Sequence, residues 1–410
     1  MINLFFVIHD YSGARTYADE LLGYFIREEA EVSIHKIYLE STYHKEYTTV
    51  EENGILEIHI PPVKRKGYSL EKYAKRCIDL MEPVMANKRN PIFHLNYPTQ
   101  VKFGVEVKKK FGGVLIYTAH YLPEIFSIVK LYPNIKENLN NINAVDVLDR
   151  EVIKLADNII CISKFARDTI CKHFRMPVEK TALIYNGYGT VESKQADNKA
   201  MIRKSFGFGE NDRLILFAGK LDVEKGVPDL IEVFKKILME FSDVRLVLAG
   251  EGDFKEIMEL CWDIAGKVTF TGFLKKEQLQ KLYNIANMGV IPSHWELFGY
   301  VPVEMMRYRV PVIISNVPGM NELIEDGKNG LVCKVRKKTN GKLGVKVDEA
   351  DLYIKIKTLL KDETLAGHFA QNGRLTWEIN YTAGHMGKET LNLYKQTLKQ
   401  NFVPTLRATS

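Results

Sequence analysis

The chain has few cysteines and no long hydrophobic run, and each of these features argues against certain classes of protein. Its five cysteines are an odd number, lie far apart and form no C-x-x-C pair. This spacing argues against a disulfide framework and against a zinc site. No stretch approaches the roughly 18 consecutive apolar residues that a spanning helix needs, and the N-terminus leads straight into a folded pattern rather than a signal peptide. We therefore expect a reduced, cytoplasmic protein.

A strong excess of one charge is also missing, because the net charge is only +6 over 410 residues. No basic stripe with interleaved aromatic residues is present, so nucleic acid is not expected as a partner. Short basic clusters occur at residues 64–66 and 108–110. They predict solvated surfaces or, as the alternative, a patch for peripheral association with the inner face of an anionic membrane.

The length of the chain exceeds the size at which a single hydrophobic core stops growing, so two domains are expected. Short apolar runs alternate with amphipathic helical segments in both halves of the sequence. This alternation predicts an α/β chain with two doubly wound, Rossmann-like domains. The polar segment 190–199 has no periodicity and is predicted to link them.

Residues 291–332 contain the densest group of features for a binding site. An apolar run leads into a polar and aromatic loop with Gly299, and Pro302 fits the first turn of a predicted helix. A second apolar run and another glycine-bearing turn precede what we predict to be a second helix. The amides of the loop and of the helix N-terminus favour an anion. Glu296 and Glu304 can each accept two hydrogen bonds from vicinal hydroxyls, so the stretch indicates a nucleotide-sugar site.

The spacing of these two glutamates resembles the E-x7-E signature of retaining glycosyltransferases of the GT-B fold. Its setting, S-x-x-E-x-F-G followed by E-x-M, is similar to that of glycosyltransferase family 4, and Ser293, Phe298 and Gly299 match it. The resemblance is strongest in this stretch and weak in the first 110 residues.

The GT-B resemblance implies a definite architecture. Residues 1–189 would form an acceptor-side Rossmann-like domain, and residues 190–383 would form the domain that binds the nucleotide-sugar donor. The two would face each other across a cleft. A last helix, at about residues 384–410, would cross back to the first domain.

Three further positions resemble ligand contacts of the family. Loop 219–226 is similar to the G-R-L…K-G segment whose cations clamp the donor diphosphate. Lys225 matches it directly, whereas Lys220 replaces the usual arginine and lacks its bidentate fork. His120 follows a strand at the carboxyl edge of a parallel sheet, where ligands bind, and matches a histidine that reaches the donor sugar. Gly13 stands alone where the family often has two glycines, so it serves either a ligand or a tight turn.

The resemblance implies transfer with retention by front-face displacement, in which the acceptor's proton passes to the donor's phosphate oxygen. Glu304 would hold the ribose hydroxyls, Glu296 the hydroxyls of the sugar, and amides near Leu297 the sugar and diphosphate. No D-x-D sequence is available to hold a divalent ion, so Lys220 and Lys225 would stabilise the leaving diphosphate. The predicted catalytic residues are His120, Glu296, Lys225 and Lys220, and the predicted substrate-binding residues are Gly13, Glu304, Leu297, Phe298, Gly299 and Ser293.

No metal or cofactor is predicted; the partners are a UDP- or GDP-linked hexose donor and an acceptor that the sequence does not identify. Bacterial glycan or glycoconjugate biosynthesis is the expected setting. Asn96, Tyr97 and Gln100 end a predicted strand and are candidates for shaping an acceptor cleft.

Two alternatives stay open at this stage. A nucleotide-sugar epimerase on a similar two-domain fold would share the cleft but not the S-x-x-E-x-F-G run. A glycosyltransferase-like subunit that binds without turnover would fit the departures at Lys220 and at Arg309, since the family commonly has a small residue, usually glycine, just before P-V-I. It would also fit an extra basic hairpin at residues 334–347, which is predicted to turn at Asn340-Gly341.

Overall fold

The computed structural model describes residues 1–8, 12–63, 68–120, 122, 139–191, 198–338 and 344–402. Within this part the chain forms two compact units. The first comprises the described residues up to Gly187 together with the C-terminal segment from Ala383, and the second comprises Tyr188–Thr382. The predicted linker, residues 190–199, lies largely outside the described residues.

An eight-stranded sheet forms the centre of the first unit. Its strands are β1 (Ile2–Ile8), β2 (Val32–Leu39), β3 (Thr48–Glu52), β4 (Ile55–Ile60), β5 (Pro91–Leu95), β6 (Val114–Ala119), β7 (Asn158–Cys161) and β8 (Thr181–Leu183). They lie in the order β3-β4-β2-β1-β5-β6-β7-β8, and every neighbouring pair is parallel except the edge pair β3–β4. The strands β5 and β6 are buried throughout, as expected of parallel strands covered on both faces.

Helices of the first unit include one from the far end of the chain. They are α1 (Ser12–Arg27), α2 (Leu70–Met85), α3 (Val101–Phe111), α4 (Leu139–Leu155), α5 (Lys164–His173) and the C-terminal helix Ala383–Phe402. The Tyr394 hydroxyl of the C-terminal helix lies 2.5 Å from His94 Nδ1 on β5, and Asn158 Nδ2 on β7 donates to Thr397 Oγ1 at 3.0 Å. The C-terminal helix is therefore part of the core of the first unit.

The second unit contains a six-stranded, wholly parallel sheet in the order β11-β10-β9-β12-β13-β14. Its strands are β9 (Arg213–Ala218), β10 (Val244–Ala249), β11 (Val268–Gly272), β12 (Met288–Ile291), β13 (Val312–Ser315) and β14 (Leu331–Cys333). Its helices are α6 (Lys199–Ser205), α7 (Val227–Leu238), α8 (Phe254–Leu260), α9 (Lys276–Ile285), α10 (Tyr300–Arg307), α11 (Glu349–Lys361) and α12 (Glu363–Asn380). The predicted fold class, with two parallel-sheet Rossmann-like units, is confirmed.

The predicted basic hairpin is present as two short strands. β15 (Val335–Lys337) and β16 (Val345–Val347) pair in antiparallel fashion. Its predicted turn at Asn340-Gly341 lies outside the described residues.

One predicted element is wrong, because the second helix expected after β13 is a single 3-10 turn, Met320–Glu322. Gly319 precedes it with a φ of 82°, and a side chain there would collide with the carbonyl oxygen of Leu297. The chain then returns to the sheet as β14 within ten residues, so no length remains for an α-helix.

Both sheets reverse their strand order at one point. In the first unit β1 lies between β2 and β5, and in the second β9 lies between β10 and β12. At such a point, the loops that follow two adjacent strands lead to opposite sides. This separation leaves a crevice at the carboxyl ends of the two strands. In the second unit, the loops after β9 and β12 are therefore the expected place for a ligand.

We predict that the protein loses stability as the pH falls from about 6.5 toward 4. Burial lowers the pKa of His35 to about 4 and holds that of His94 well below its usual value. The unfolded chain therefore binds more protons in this window, which costs roughly 2 kcal/mol per buried imidazole between pH 7 and 5. Urea unfolding at the two pH values measures the loss. The variant His35→Gln should show a smaller pH dependence than the wild-type chain, and an unchanged dependence would contradict the assignment.

Candidate functional site

The loops that follow β9 and β12 meet in a pocket of about 330 Å³ at the carboxyl edge of the second sheet. Its polar lining includes Lys225 from the first loop and Ser293 and Glu296 from the second. Gly299 and the first turn of α10 complete the wall beside these side chains. Backbone amides at a helix N-terminus and one ammonium group thus share a single concave surface, which suits an anionic ligand.

Lys225 and Glu296 form an ion pair across this pocket, although they are 71 positions apart in sequence. Burial alone would lower the pKa of Lys225, but the Glu296 carboxylate raises it above its usual value. Ser293 Oγ lies 3.5 Å from the same carboxylate oxygen of Glu296. The pocket therefore holds a charged lysine and an oriented carboxylate side by side.

Lys220 does not join this group. Its side chain is 67% exposed, is not among the residues that line the pocket, and pairs with Asp222 at 3.1 Å. The other carboxylate oxygen of Asp222 accepts a hydrogen bond from the Lys225 amide at 2.8 Å. Asp222 thus accepts hydrogen bonds from the side chain of Lys220 and from the amide of Lys225.

Gly226 allows the two loops to approach each other. It has a φ of 70° and precedes α7 as its N-cap, and a side chain there would collide with the carbonyl oxygen of Pro292. Glycine is therefore required at this position for two reasons: the left-handed backbone conformation and the lack of room for a side chain.

A buried histidine that sequence reasoning missed also ties the loops together. His294 Nε2 lies 2.5 Å from Asp229 Oδ2 on α7, and its amide donates to the carbonyl of Glu224 at 2.8 Å. Among the described residues its Nδ1 is buried without a hydrogen-bond partner. Asp229 lies 65 positions earlier in the chain, so no local pattern could have joined the two residues.

Glu304 lies inside α10 and is buried, with 9% of its surface exposed. The Tyr283 hydroxyl on α9 donates to its Oε2 at 2.6 Å. Burial and the adjacent carboxylate raise the pKa of Tyr283 well above its usual value, so the hydroxyl keeps its proton. The carboxylate of Glu304 is therefore held in place by a permanent donor.

The side chains of Leu297 and Phe298 are buried, with 5% and 2% of their surface exposed. Phe298 meets the rings of Tyr300 and Tyr381 edge to face, at centroid distances of 5.8 and 6.1 Å. These two side chains therefore anchor the loop.

His120 belongs to the first unit and directly follows the strand β6. Asn96 Nδ2 donates to the carbonyl of Val7 at 2.9 Å, which turns Asn96 Oδ1 toward His120 Nε2 at 3.1 Å. His120 Nε2 must then carry the proton, and Nδ1 is left as an acceptor. Burial lowers the pKa of His120 to about 3, so the ring is neutral near pH 7.

Two remaining predictions concern Gly13 and metal. Gly13 falls in the first turn of α1, and its surroundings lie outside the described residues. In the described part of the chain, no group of three or more His, Cys, Asp or Glu side chains is placed to hold a metal ion. No helix there is both long enough and apolar enough to cross a membrane.

Comparison with known proteins connects both units to one class of enzyme. The family model described as "Glycosyl transferases group 1" matches residues 198–376, and the model described as "Glycosyltransferase Family 4" matches residues 11–191. An uncharacterized glycosyltransferase of Methanocaldococcus jannaschii is 33% identical over 243 residues, which are 58% of this chain and 59% of that protein. The chain spans 59% to 62% of the length of the first curated relatives that it matches.

Solved structures share the fold over almost the whole chain. Sucrose-phosphate synthase from Thermosynechococcus elongatus superposes with a TM-score of 0.77 at 18% identity, covering 98% of this chain and 100% of that one. The HepE protein of Anabaena, in complex with UDP-glucose, superposes with a TM-score of 0.72 at 16% identity, covering 97% and 100%. At these identities the likeness establishes the GT-B fold.

We predict that Glu296→Gln lowers the pKa of Lys225. The carboxylate is what raises that pKa, so its removal leaves burial as the dominant influence. Selective 13C labelling of the lysine side chains followed by an NMR titration measures the change. Glu325→Gln is the matched control, because Glu325 pairs with the exposed Lys328 rather than with Lys225. A Lys225 pKa that is the same in Glu296→Gln and in the control would contradict the ion pair.

Proposed function

We propose a function from one premise: the chain belongs to the group 1 glycosyltransferases of the GT-B fold, with an N-terminal half of the family 4 type. On this premise it transfers a hexose from a nucleotide diphosphate sugar to an acceptor hydroxyl. The observation that carries the proposal is the pocket that brings Lys225, Glu296 and the N-terminus of α10 together at the carboxyl edge of the second sheet.

The donor's charged part fits the cationic side of this pocket. The Lys225 ammonium has three donors, of which one serves Glu296, so two can reach diphosphate oxygens. The first amides of α10 have no partner within the helix and offer the same oxygens hydrogen bonds. A fixed positive charge and fixed dipoles stabilise the charge that develops on the leaving diphosphate, which is the role we assign to them.

We assign the donor's hydroxyls to two carboxylates, of which Glu296 lines the pocket and Glu304 lies further along α10, outside the pocket lining. Tyr283 donates to Oε2 of Glu304 and orients the carboxylate, to which we assign the ribose hydroxyls as the family resemblance implies. Glu296 takes the hydroxyls of the transferred sugar. A UDP- or GDP-linked hexose is our proposed donor, and the UDP-glucose complex of the HepE structure supports a uridine nucleotide in this fold.

We propose transfer with retention by front-face displacement. The acceptor hydroxyl oxygen forms its bond to the anomeric carbon on the face from which the diphosphate departs. The bond between that carbon and the phosphate oxygen breaks, and the acceptor's proton passes to the same phosphate oxygen. Bacterial glycan or glycoconjugate synthesis is the setting that we infer.

For His120 we keep the role that the family resemblance implies, a hydrogen bond to the donor sugar. A neutral ring with a bare Nδ1 accepts a hydrogen bond from a sugar hydroxyl without adding charge. The reaction should therefore be insensitive to His120 titration at any pH above about 4.

We predict that Lys225→Ala and Glu304→Ala each lower kcat/KM for transfer more than tenfold, a loss of at least about 1.4 kcal/mol of transition-state stabilisation. Lys225→Ala removes the charge opposite the diphosphate, and Glu304→Ala removes the ribose contact. Release of nucleoside diphosphate from the best donor in a UDP- and GDP-sugar panel measures the effect. Lys361→Ala, an exposed lysine at the end of α11, is the control. Losses below tenfold for both test variants would refute the assigned roles.

We also predict that transfer does not require a divalent ion, because Lys225 and α10 supply the positive charge. Millimolar EDTA should change the rate by less than about twofold. Activity that disappears with EDTA and returns with Mg²⁺ or Mn²⁺ would show instead that a metal neutralises the diphosphate. Repeating the EDTA and metal additions with Lys225→Ala distinguishes positive charge supplied by Lys225 from positive charge supplied by a metal ion.

A further inference from the structure

Five polar side chains lie together in the core of the first unit, and no role has been assigned to them. They come from two strands and two helices: His94 of β5, Thr118 of β6, Tyr17 of α1, and Thr390 and Tyr394 of the C-terminal helix. None of these residues exposes more than 1% of its surface. Burial of this many polar groups is costly unless each one finds a hydrogen-bond partner. We call the five side chains the buried network.

The buried network is one continuous series of hydrogen bonds. The Tyr394 hydroxyl lies 2.5 Å from His94 Nδ1, and His94 Nε2 lies 2.6 Å from Thr118 Oγ1. Thr118 Oγ1 lies 3.2 Å from the Tyr17 hydroxyl, which is also hydrogen-bonded to Thr390. The series therefore leaves the C-terminal helix at one residue, crosses two strands and α1, and returns to the same helix.

The direction of each hydrogen bond in the buried network follows from the number of protons available. Thr390 donates its only hydroxyl proton to a carbonyl of its own helix at 2.7 Å, so Tyr17 must donate to Thr390. Thr118 must then donate to Tyr17, and the ring nitrogen of His94 that faces Thr118 must carry a proton. Burial holds the pKa of His94 well below its usual value, so the ring is neutral and its Nδ1 accepts from the Tyr394 hydroxyl.

The buried network also touches the histidine with a proposed role toward the donor sugar. The ring of Tyr17 meets the ring of His120 edge to face, with the centroids 4.5 Å apart. His120 itself is only half-buried, so part of its ring is accessible. The hydrogen bond to Asn96 directs one ring nitrogen of His120 but leaves the ring free to tilt about that bond. Contact with Tyr17 restricts this tilt.

We propose that the C-terminal helix positions His120 through the buried network, with Tyr17 as the positioning residue in direct contact with it. The helix packs closely on α1, because a side chain at Gly387 would collide with the ring of Tyr24. This inference rests on the proposed function, since the contact between His120 and the donor sugar belongs to that function. It gives the last helix of the chain a task in the reaction, although that helix lies far from His120 in sequence.

Two conservative variants test the proposal by their rate of nucleoside diphosphate release from the best donor. Tyr17→Phe keeps the ring but removes its hydroxyl anchor, and Tyr394→Phe removes the donor to His94 without a change near His120. Each should lower kcat at least fivefold, because a small misplacement of a group that contacts the substrate is enough to slow a reaction. The affinity for UDP or GDP should stay within twofold, since we assign the diphosphate to the second unit.

Thr397→Val is the matched control. Thr397 is buried on the same helix and accepts a hydrogen bond from Asn158 Nδ2 at 3.0 Å, but it lies outside the buried network. Its loss should leave kcat within twofold. An equal loss of kcat in Thr397→Val, Tyr17→Phe and Tyr394→Phe would show that weakened docking of the helix lowers the rate, and it overturns the proposal.

NMR of the chain labelled with 15N-histidine reads the geometry without turnover. His94 and His120 should both carry their proton on Nε2 in the wild-type chain. Tyr394→Phe should shift the ring signals of both histidines, whereas Thr397→Val should shift neither. Signals of His120 that are unchanged in both Tyr17→Phe and Tyr394→Phe overturn the proposal, whatever the rates.

His120→Ala assigns the His120 signals and separates the possible failures. A low rate in His120→Ala, together with wild-type rates in Tyr17→Phe and Tyr394→Phe, refutes the positioning and leaves the proposed function standing. A wild-type rate in His120→Ala refutes the role of His120 toward the donor sugar, and the positioning falls with it. If the wild-type chain releases no nucleoside diphosphate from any donor, the proposed function itself is refuted.

Discussion

The ion pair between Lys225 and Glu296 is the interaction on which the candidate site depends. It joins two loops that follow neighbouring strands, and it exists only because β9 and β12 are adjacent in the sheet. The pairing is tolerated in a partly buried place because each charge compensates the desolvation of the other. Gly226 lets the same two loops approach closely, and the His294–Asp229 hydrogen bond ties the second loop to α7. The ion pair therefore has little freedom to rearrange.

The supporting contacts share a physical logic, in which each functional group is fixed by a partner that does not compete for a ligand. Tyr283 takes one oxygen of Glu304, Asp222 takes the amide of Lys225, and Asn96 takes one nitrogen of His120. Each partner makes one hydrogen bond to its functional group and thereby fixes the orientation of that group. Preorganisation of this kind lowers the cost of binding because the side chains are already ordered before a ligand arrives.

Local pattern was enough to predict the α/β class and the loop-to-helix setting of Glu296 and Glu304, because periodicity and turn residues are short-range signals. It could not predict which loops meet. Lys225 with Glu296 and Asp229 with His294 are separated by 71 and 65 positions, and their proximity follows from strand order. The strand β3 was missed because four of its five residues are exposed and carry no apolar alternation. The prediction of a helix after β13 was wrong because a sequence motif does not show how soon the chain returns to the sheet.

Lys220 matches the family segment in position, but its surroundings differ from those of Lys225. The resemblance implies two cations on the diphosphate; in this structure Lys220 is exposed, lies outside the pocket lining and pairs with Asp222 at 3.1 Å. Lysine lacks the planar fork with which arginine could bind a carboxylate and a phosphate together. Lys225 and the amides of α10 are then left as the positive groups of the pocket among the residues that line it. Lys225 also shares its charge with Glu296, so a diphosphate and that carboxylate would bind the same ammonium through different N–H groups. Donor binding and the orientation of Glu296 are therefore coupled through one nitrogen atom, and a substitution at either residue should alter both.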